Sequence, residues 1–466
     1  MATKATKENP LALLLTLLIT LGLLGGAAYW VYGRLTTGSS TSGRASERFS
    51  TGERQLIKTT TTPAKEAGIM ALAAGDFPKA VEWFEASLKL EPNDPETLIY
   101  LNNARLRTAP IPPNTIAINT IAVSVPIGTK INIAQEILRG VAQAQDQINR
   151  QGGINGAGLS VEIINDDNDA EVAQQIAETL VKDDKILAVV AHNTGDASLA
   201  AAPIYQQNGI VMISPTTFNP EVARVDNYIF RAVPTPQIMA APLVNYILER
   251  SKPPTLLVCY DSQAPDQVVF TEAVVNTFKA KGGQTVDTDC NYSTPGFDAQ
   301  RAVEQGIAQG ATGIFLGTNV NNFDPTVEVI RANNRRLPLY SSATLYTQEV
   351  IQQGQQATEG LVLVAPWSPE AHPEFAQQAR DLWRATVNWR TATAYDATRA
   401  LIAGLQRSNT RNGLQQVLQD PGFSTTGSGD PVEFSNTRDR RLQPVLMQVQ
   451  PDSSSGSGYK FVYLPK

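Results

Sequence analysis

Histidine and cysteine are almost absent, with two of each in 466 residues. Two imidazoles, His192 and His372, leave little material for a histidine-based metal site or a catalytic triad. Two thiols, Cys259 and Cys290, cannot build a disulfide framework. The sequence also lacks Gly-x-Ser-x-Gly, His-Glu-x-x-His, Cys-x-x-Cys and a phosphate loop, which removes the usual signatures of an enzyme. The net charge is −6, with no basic stripe interleaved with aromatics, and this argues against nucleic acid as a partner. One carboxylate cluster stands out, Asp166, Asp167 and Asp169. It reads as solvated strand-end acids and a helix cap rather than as an acid–base pair.

Against these absences, residues 131–169 carry a strong local pattern. Ile133, Ile137, Val141, Ala144 and Ile148 recur at spacings of three and four, the buried face of a helix. Gly152, Gly153, Gly156 and Gly158 stop that helix and open a turn. Val161, Ile163 and Ile164 then form a short apolar run, closed by Asp166 and Asp167. An earlier β-branched run covers residues 116–125. Strand, helix, strand is the repeating unit of a parallel sheet. The glycines follow a helix and precede a strand, the reverse of a dinucleotide fingerprint, so they read as a helix stop and a turn.

The same stretch resembles the opening of type I periplasmic binding proteins of the leucine, isoleucine and valine group. That family has a strand, a long helix ending in N-x-x-G-G-(I/V)-N-G, and a strand ending in acid. Asn149, Gly152, Gly153, Ile154, Asn155 and Gly156 fit the turn over about forty residues of agreeing order, and the likeness continues more weakly to the C-terminus. The resemblance implies an α/β fold of two lobes, two doubly wound parallel sheets joined by a hinge, over residues 116–466. The first lobe would take about 116–247 plus 368–424, and the second about 248–367 plus the C-terminal tail. Strands are expected at residues 186–190, 211–214, 256–260, 284–291, 313–316, 339–341 and 360–365. Helices are expected at 198–207, 270–279, 299–309 and 391–406. Tyr395 and Asp396 match a Tyr-Asp pair that opens a helix in the family. Gly427, Phe434 and Arg440 resemble its closing hairpins. Cys259 and Cys290 fall on neighbouring expected strands, which fits either one bridge or two inert buried thiols.

Three segments precede this body. Residues 11–32 carry no charge, and 22 residues suffice to span a bilayer core of about 30 Å. They read as an N-terminal transmembrane anchor with Tyr29, Trp30 and Tyr32 at the outer interface, or as a signal sequence cut near Gly26 and Ala28. Residues 33–62 are rich in Ser, Thr and Gly and read as a flexible linker. Residues 63–109 form a small α-helical hairpin similar to one tetratricopeptide repeat, with Gly68, Gly75, Phe77, Ala80, Phe84 and Pro92 at that repeat's spacings. One such unit cannot bury its own face, so it must pack on the body, on a second copy or on a protein partner.

In open α/β sheets, ligands bind at the carboxyl ends of the strands. After the strand at 186–190 come Thr194, Gly195 and Asp196, where the family has a Thr-Ser or Ser-Ser pair for a ligand carboxylate. Gly195 replaces the serine, and Asp196 doubles as a candidate helix cap. The next strand end offers Ser214, Thr216, Thr217 and Phe218, with Phe218 at the position of the family's binding threonine. The second lobe supplies Tyr260 and Asp261, beside Ser262, then Thr318 between Gly317 and Asn319, then Ser341 and Ser342, with Trp367 near the returning crossover. Asp261 is the expected acid for a ligand ammonium group. What the resemblance implies is an extracytoplasmic solute-binding protein of an ABC importer, tethered outside the cytoplasmic membrane. It would take a small polar solute of amino-acid or amide type, need no cofactor or metal, and present its closed form to a permease. The alternative is a membrane-tethered ligand sensor or scaffold that signals through a partner of residues 64–107.

Overall fold

The computed structural model describes residues 47–59, 61–108, 118–250 and 253–465. The chain divides into two units, Met1–Phe49 and Ser50–Lys466, and the second carries the fold. Residues 11–32, the expected anchor, lie outside the described residues. Among the described residues no helix is long and apolar enough to cross a membrane.

Two sheets organise the larger unit. In the first, five parallel strands, β1 (Ile118–Val125), β2 (Gly158–Asn165), β3 (Ile186–Val190), β4 (Val211–Ser214) and β5 (Ile229–Arg231), run in the order β2-β1-β3-β4-β5. In the second, β6 (Thr255–Tyr260), β7 (Gln284–Thr285), β8 (Gly313–Gly317), β9 (Leu339–Ser342), β10 (Val362–Ala365), β11 (Val445–Pro451) and β12 (Tyr459–Leu464) run in the order β12-β11-β10-β9-β8-β6-β7. Pairing is parallel until β10 meets β11, and β11 with β12 closes the edge as an antiparallel hairpin. Both faces of β1 are covered, so its second half shows no alternation of buried and exposed positions, and Ile121 to Val125 are buried without a break.

Helices of eight residues or more are α1 (Pro63–Ala73), α2 (Phe77–Leu90), α3 (Pro95–Thr108), α4 (Ile131–Arg150), α5 (Ala170–Leu180), α6 (Gly195–Gln207), α7 (Pro236–Arg250), α8 (Pro265–Ala280), α9 (Ala299–Ala308), α10 (Asp324–Asn333), α11 (Pro373–Trp383), α12 (Trp389–Arg407) and α13 (Arg411–Gln419). The turn after α4 shows why its motif has those residues. Asn149 pairs with both backbone groups of Leu159, at 2.9 Å to the carbonyl and 2.7 Å from the N–H. Gly153 has φ 81°, and a Cβ there would stand 2.2 Å from the Ala157 carbonyl oxygen. α12 crosses back over α4, where Thr391 Oγ1 donates to the Glu136 carbonyl at 2.9 Å and Tyr395 Oη to Gln147 at 2.7 Å. Tyr395 and Asp396 therefore lie in the second turn of this helix, not at its start. Asp396 accepts from the Arg440 guanidinium at 3.1 Å and from Ser428 N–H at 2.6 Å, tying the C-terminal segment down.

Two further expectations change, and one open alternative is decided. The strand at 284–291 shortens to Gln284–Thr285, because the exposed Asp287 and Asp289 turn the chain outward before Cys290 returns beside Tyr260. Cys259 and Cys290 form a disulfide. The expected linker is packed from Ser50 to Ile57. Glu96 Oε1 accepts the N–H groups of Leu56 and Ile57 at 2.7 and 3.2 Å, while Ile57 is buried.

The helical segment is a pair of helices plus a third, α3, which lies against the body. Asn103 on α3 takes both backbone groups of Val161 on β2, accepting at 3.1 Å and donating at 2.8 Å, and so ties α3 to that strand. It also accepts from Gln145 and Ser160, and Asn102 donates to Asp146. Beneath it, buried Lys65 bridges Asp94 at 2.8 Å and Glu96 at 2.7 Å. The unpartnered helical unit of the sequence has found its partner within the same chain.

Asn103→Ala should lower stability by about 2–3 kcal/mol, since Val161 and Gln145 lose buried partners; a urea unfolding midpoint checks it. Reduction of Cys259–Cys290, which spans 31 residues, should cost about 3–4 kcal/mol, read as a lower melting temperature in reducing buffer.

Candidate functional site

The carboxyl ends of the first sheet's strands are linked side to side. Ser124 Oγ at the end of β1 donates to Asp166 Oδ2 at 2.9 Å. His192 Nδ1, just beyond β3, pairs with the same oxygen at 2.7 Å. Ser214 Oγ at the end of β4 donates to the His192 carbonyl at 2.8 Å. Thr216 Oγ1 donates to the Asn193 carbonyl at 2.9 Å, and Asn193 Nδ2 to Asn168 at 3.1 Å. Asp166 and His192 have no exposed surface. Asp166 is thus a buried cross-link, not a solvated acid. Asp169 caps α5 by accepting from Val172 N–H at 2.9 Å.

Above this platform the two sheets face one another across a cavity of about 60 Å³. At roughly 15 Å³ per water, it holds about four waters. Its aromatic side runs across both halves. Phe218 stands 5.8 Å from Trp389 and 5.6 Å from Phe270, ring centre to ring centre. Trp389 Nε1 donates to the Ala343 carbonyl at 3.1 Å. Arg390 is buried beside it, and its guanidinium donates to the Tyr346 and Thr344 carbonyls at 3.2 and 3.4 Å, leaving Nε without a partner. Burial pushes its pKa down to about 10 against the opposing pull of Glu136. Arg390 also borders a second cavity of about 440 Å³ between the start of α4 and the Gln348–Gly354 helix, bounded by Lys130, Glu136, Arg139 and Glu349.

Of the residues named from sequence, Thr194, Gly195, Asp196, Thr216 and Phe218 line the smaller cavity, as does Asn319 from the second sheet's side. Thr194 is the N-cap of α6 yet makes no cap hydrogen bond, and its buried Oγ1 has no partner. Asp196 is in the first turn of α6 and is not the cap; desolvation raises its carboxyl pKa. Ser214 is spent on the platform. Thr217 Oγ1 donates to Asp266 at 2.6 Å.

The second-sheet expectations fare differently, because their side chains serve their own sheet. Asp261 does not line the cavity; it accepts from Ser293, from Asn319 Nδ2 at 2.9 Å and from Gln263 N–H at 2.8 Å. Tyr260 is in β6, behind this loop. Thr318 Oγ1 accepts from Thr326 at 3.1 Å, and Ser341 Oγ donates to the Leu316 carbonyl at 2.7 Å. Ser342 caps the short helix after β9, taking Thr344 N–H at 3.3 Å. Trp367 is buried against Ser428, away from the cavity.

From the second sheet's side, the acid that reaches the cavity is Asp266, in the first turn of α8. Gly195 N–H donates to its Oδ2 at 2.6 Å, and Asn219 N–H to its Oδ1 at 3.0 Å. Burial raises its pKa, while the bonds from Thr217, Gly195 and Asn219 pull the other way. Asn193, Ala264, Gln267, Val320, Asn321, Thr344, Trp389 and Arg390 also line the cavity, and sequence reasoning missed them. Asp266 had a findable signal, since it opens the helix that follows a strand end already singled out. Trp389 and Arg390 had none locally, because they arrive from the far end of the chain.

Thr194 and Thr216 differ in a way that stability measures. Thr194→Val removes a hydroxyl with no protein partner and should leave the urea midpoint unchanged or slightly raised. Thr216→Val breaks a buried bond and should cost about 1–2 kcal/mol.

Known proteins resemble this chain in both sequence and architecture. A leucine-, isoleucine-, valine-, threonine-, and alanine-binding protein of Pseudomonas aeruginosa is 33% identical over 134 residues, 28% of this chain and 36% of that protein. An amino acid binding protein of the same organism is 25% identical over 252 residues, 53% of this chain and 66% of that protein. This chain therefore spans about a third to two thirds of the length of these relatives, which are binding proteins rather than enzymes. The solved leucine binding protein of Thermotoga maritima MSB8 superposes with a TM-score of 0.65 at 17% identity, covering 74% of this chain and 97% of that one, and shares the two-sheet fold. The sequence profile described as periplasmic binding protein matches residues 120–456, most of the chain, and this protein belongs to that family.

Proposed function

We propose that this chain is the extracytoplasmic solute-binding protein of an ABC importer. It takes a small polar solute of amino-acid or amide type into the cleft between two lobes. The lobes are about 116–247 plus 368–424, and about 248–367 plus the C-terminal tail. The observation that carries the reading is the convergence of strand-end loops from both sheets on one polar cavity, with the Thr194 hydroxyl buried and unpartnered there. A buried donor without a partner costs free energy until something fills its place. Ligand-site residues in this reading are Thr194, Asp196, Thr216 and Phe218 from the first half and Asp266, Gln267 and Asn321 from the second. Closure follows a hinge motion, and the permease reads the closed form.

Residues 11–32 anchor the protein, with its body in the periplasm or outside the cell; their uncharged length supports this. The disulfide fits an oxidising compartment. A second reading, a tethered sensor or scaffold acting through a partner of residues 64–107, draws support from Met70 and Leu90. Both are large apolar side chains left exposed on the tetratricopeptide-like segment.

Native mass spectrometry of the full-length chain, followed by a thermal-shift panel of amino acids, amides, urea and short peptides, tests the importer reading. A solute that co-purifies, or that raises the melting temperature in proportion to the logarithm of its concentration, is the expected result. A chain that retains nothing and responds to no member of the panel, yet captures a protein through residues 64–107, overturns it in favour of the sensor.

A further inference from the structure

Gly195 and Asp266 fit one another across the cleft. The N–H groups of Gly195 and Asn219 and the hydroxyl of Thr217, all from first-sheet loops, converge on one carboxylate at 2.6, 3.0 and 2.6 Å. Three donors around two oxygens, with one of the donors at the start of the 13-residue helix α6, make a built anion cradle. Its occupant is the chain's own Asp266, brought from the second sheet by α8. Gly195 is what admits it. A Cβ at position 195 would stand 2.6 Å from Asp266 Oδ1, 3.0 Å from its Cγ and 3.2 Å from the Asn219 Cβ. The missing side chain and the added carboxylate are therefore two halves of one arrangement.

With the cradle filled, the groups left around the cavity do not suit a second carboxylate. Asp196 adds another negative charge at the wall. Arg390, the cation among the lining residues, already spends its terminal nitrogens on the Thr344 and Tyr346 carbonyls. Side-chain amides of Asn193, Gln267, Asn319 and Asn321 and the hydroxyls of Thr194, Thr216 and Thr344 supply the remaining polarity, uncharged throughout, beside Phe218 and Trp389. Bringing a solute carboxylate here would set like charges together in a partly desolvated site.

We propose that Asp266 determines specificity by filling the carboxylate cradle of Gly195, Thr217 and Asn219 from within, so that the cleft admits solutes with an N–H-bearing, carboxylate-free head and excludes solute carboxylates. This rests on the solute-binding reading above. Amide and ammonium heads share that chemistry, and matched probes separate them from acids.

The experiment uses the full-length chain. Asp266→Gly removes the equivalent of acetate, so sodium acetate should bind the variant and raise its melting temperature, while the unaltered chain shows no response at the same ionic strength. In parallel, calorimetric titration of the unaltered chain should favour L-alaninamide over L-alanine by about tenfold or more, the worth of one charge-assisted contact. If the variant folds only when acetate is present, that rescue supports the proposal; failure of acetate to rescue it overturns the proposal. Equal acetate responses from both proteins, no response from either, or alanine binding as tightly as alaninamide also overturns it. Should neither solute bind the unaltered chain, the acetate response decides alone. That response reads the cradle without any solute or permease, so an intact response with an inert solute panel marks failure of the transport reading rather than of this one.

Discussion

One carboxylate holds the two halves of this protein in register. Asp266 comes from a helix on the second sheet and takes three donors from loops on the first. Each is a hydrogen bond to a charged group in a place where water is scarce, the setting in which such bonds contribute most. Arg390 and Trp389 add buried bonds to the carbonyls of Tyr346, Thr344 and Ala343, and two further contacts are more exposed. Asn168 donates to Asn321 at 2.9 Å, and Lys130 approaches Glu349 at 3.5 Å while lying over the Phe323 ring. The small inner cavity, the stacking of Phe218 on Trp389, and the position of the Thr194 hydroxyl all presuppose that the halves meet where Asp266 joins them.

Beneath that junction the first sheet presents a stiff platform. Ser124, Asp166, His192 and Ser214 form a chain of hydrogen bonds that joins the carboxyl ends of β1, β2, β3 and β4, with Asp166 reaching past β1 to His192. Parallel strands leave their carboxyl-end loops free to diverge. Here the side chains of the strand ends tie those loops together, so the donors of Gly195, Thr217 and Asn219 are set before anything arrives to use them. Preorganised donors lose little on binding, which is why an anion held there is held well. Asp166 has its place in this account as a structural carboxylate, one that the buried His192 and Ser124 satisfy.

The helices before the body belong to it. Lys65, Asp94 and Glu96 form a buried charged cluster that also gathers the backbone of Leu56 and Ile57. A buried cluster of this kind is costly unless each charge is paired, and each of the three is. Asn103 then satisfies both backbone groups of Val161 on β2 and docks this segment on the first sheet. A repeat-like unit that would need a foreign partner if it stood alone is in large part the cover of its own domain, with Met70 and Leu90 left outside.

What the sequence determined by itself is local. The period of Ile133, Ile137, Val141, Ala144 and Ile148 specified α4, and Asn149 with Gly153 specified the turn after it, because those constraints act between residues a few positions apart. The strand–helix alternation placed Thr194, Gly195, Asp196, Thr216 and Phe218 at strand ends, and the cavity lies there. The closeness of Cys259 and Cys290 was legible only in part, since Cys290 lies beyond the end of β7 and returns beside β6 from a loop. Tertiary structure decided which side chains actually face the cleft. Asp261, Thr318, Ser341 and Ser342 sit at strand ends as expected, yet each bonds within its own half of the protein, to Asn319, Thr326, Leu316 and Thr344. Asp266, five positions after Asp261, crosses the gap instead, because the first turn of α8 points at the opposite sheet. Trp389 and Arg390 reach the same cavity only because α12 folds back over α4. No periodicity encodes the docking of one sheet on another: it depends on summed packing between residues far apart in the chain, and on which buried polar group is left without a partner once that packing is made.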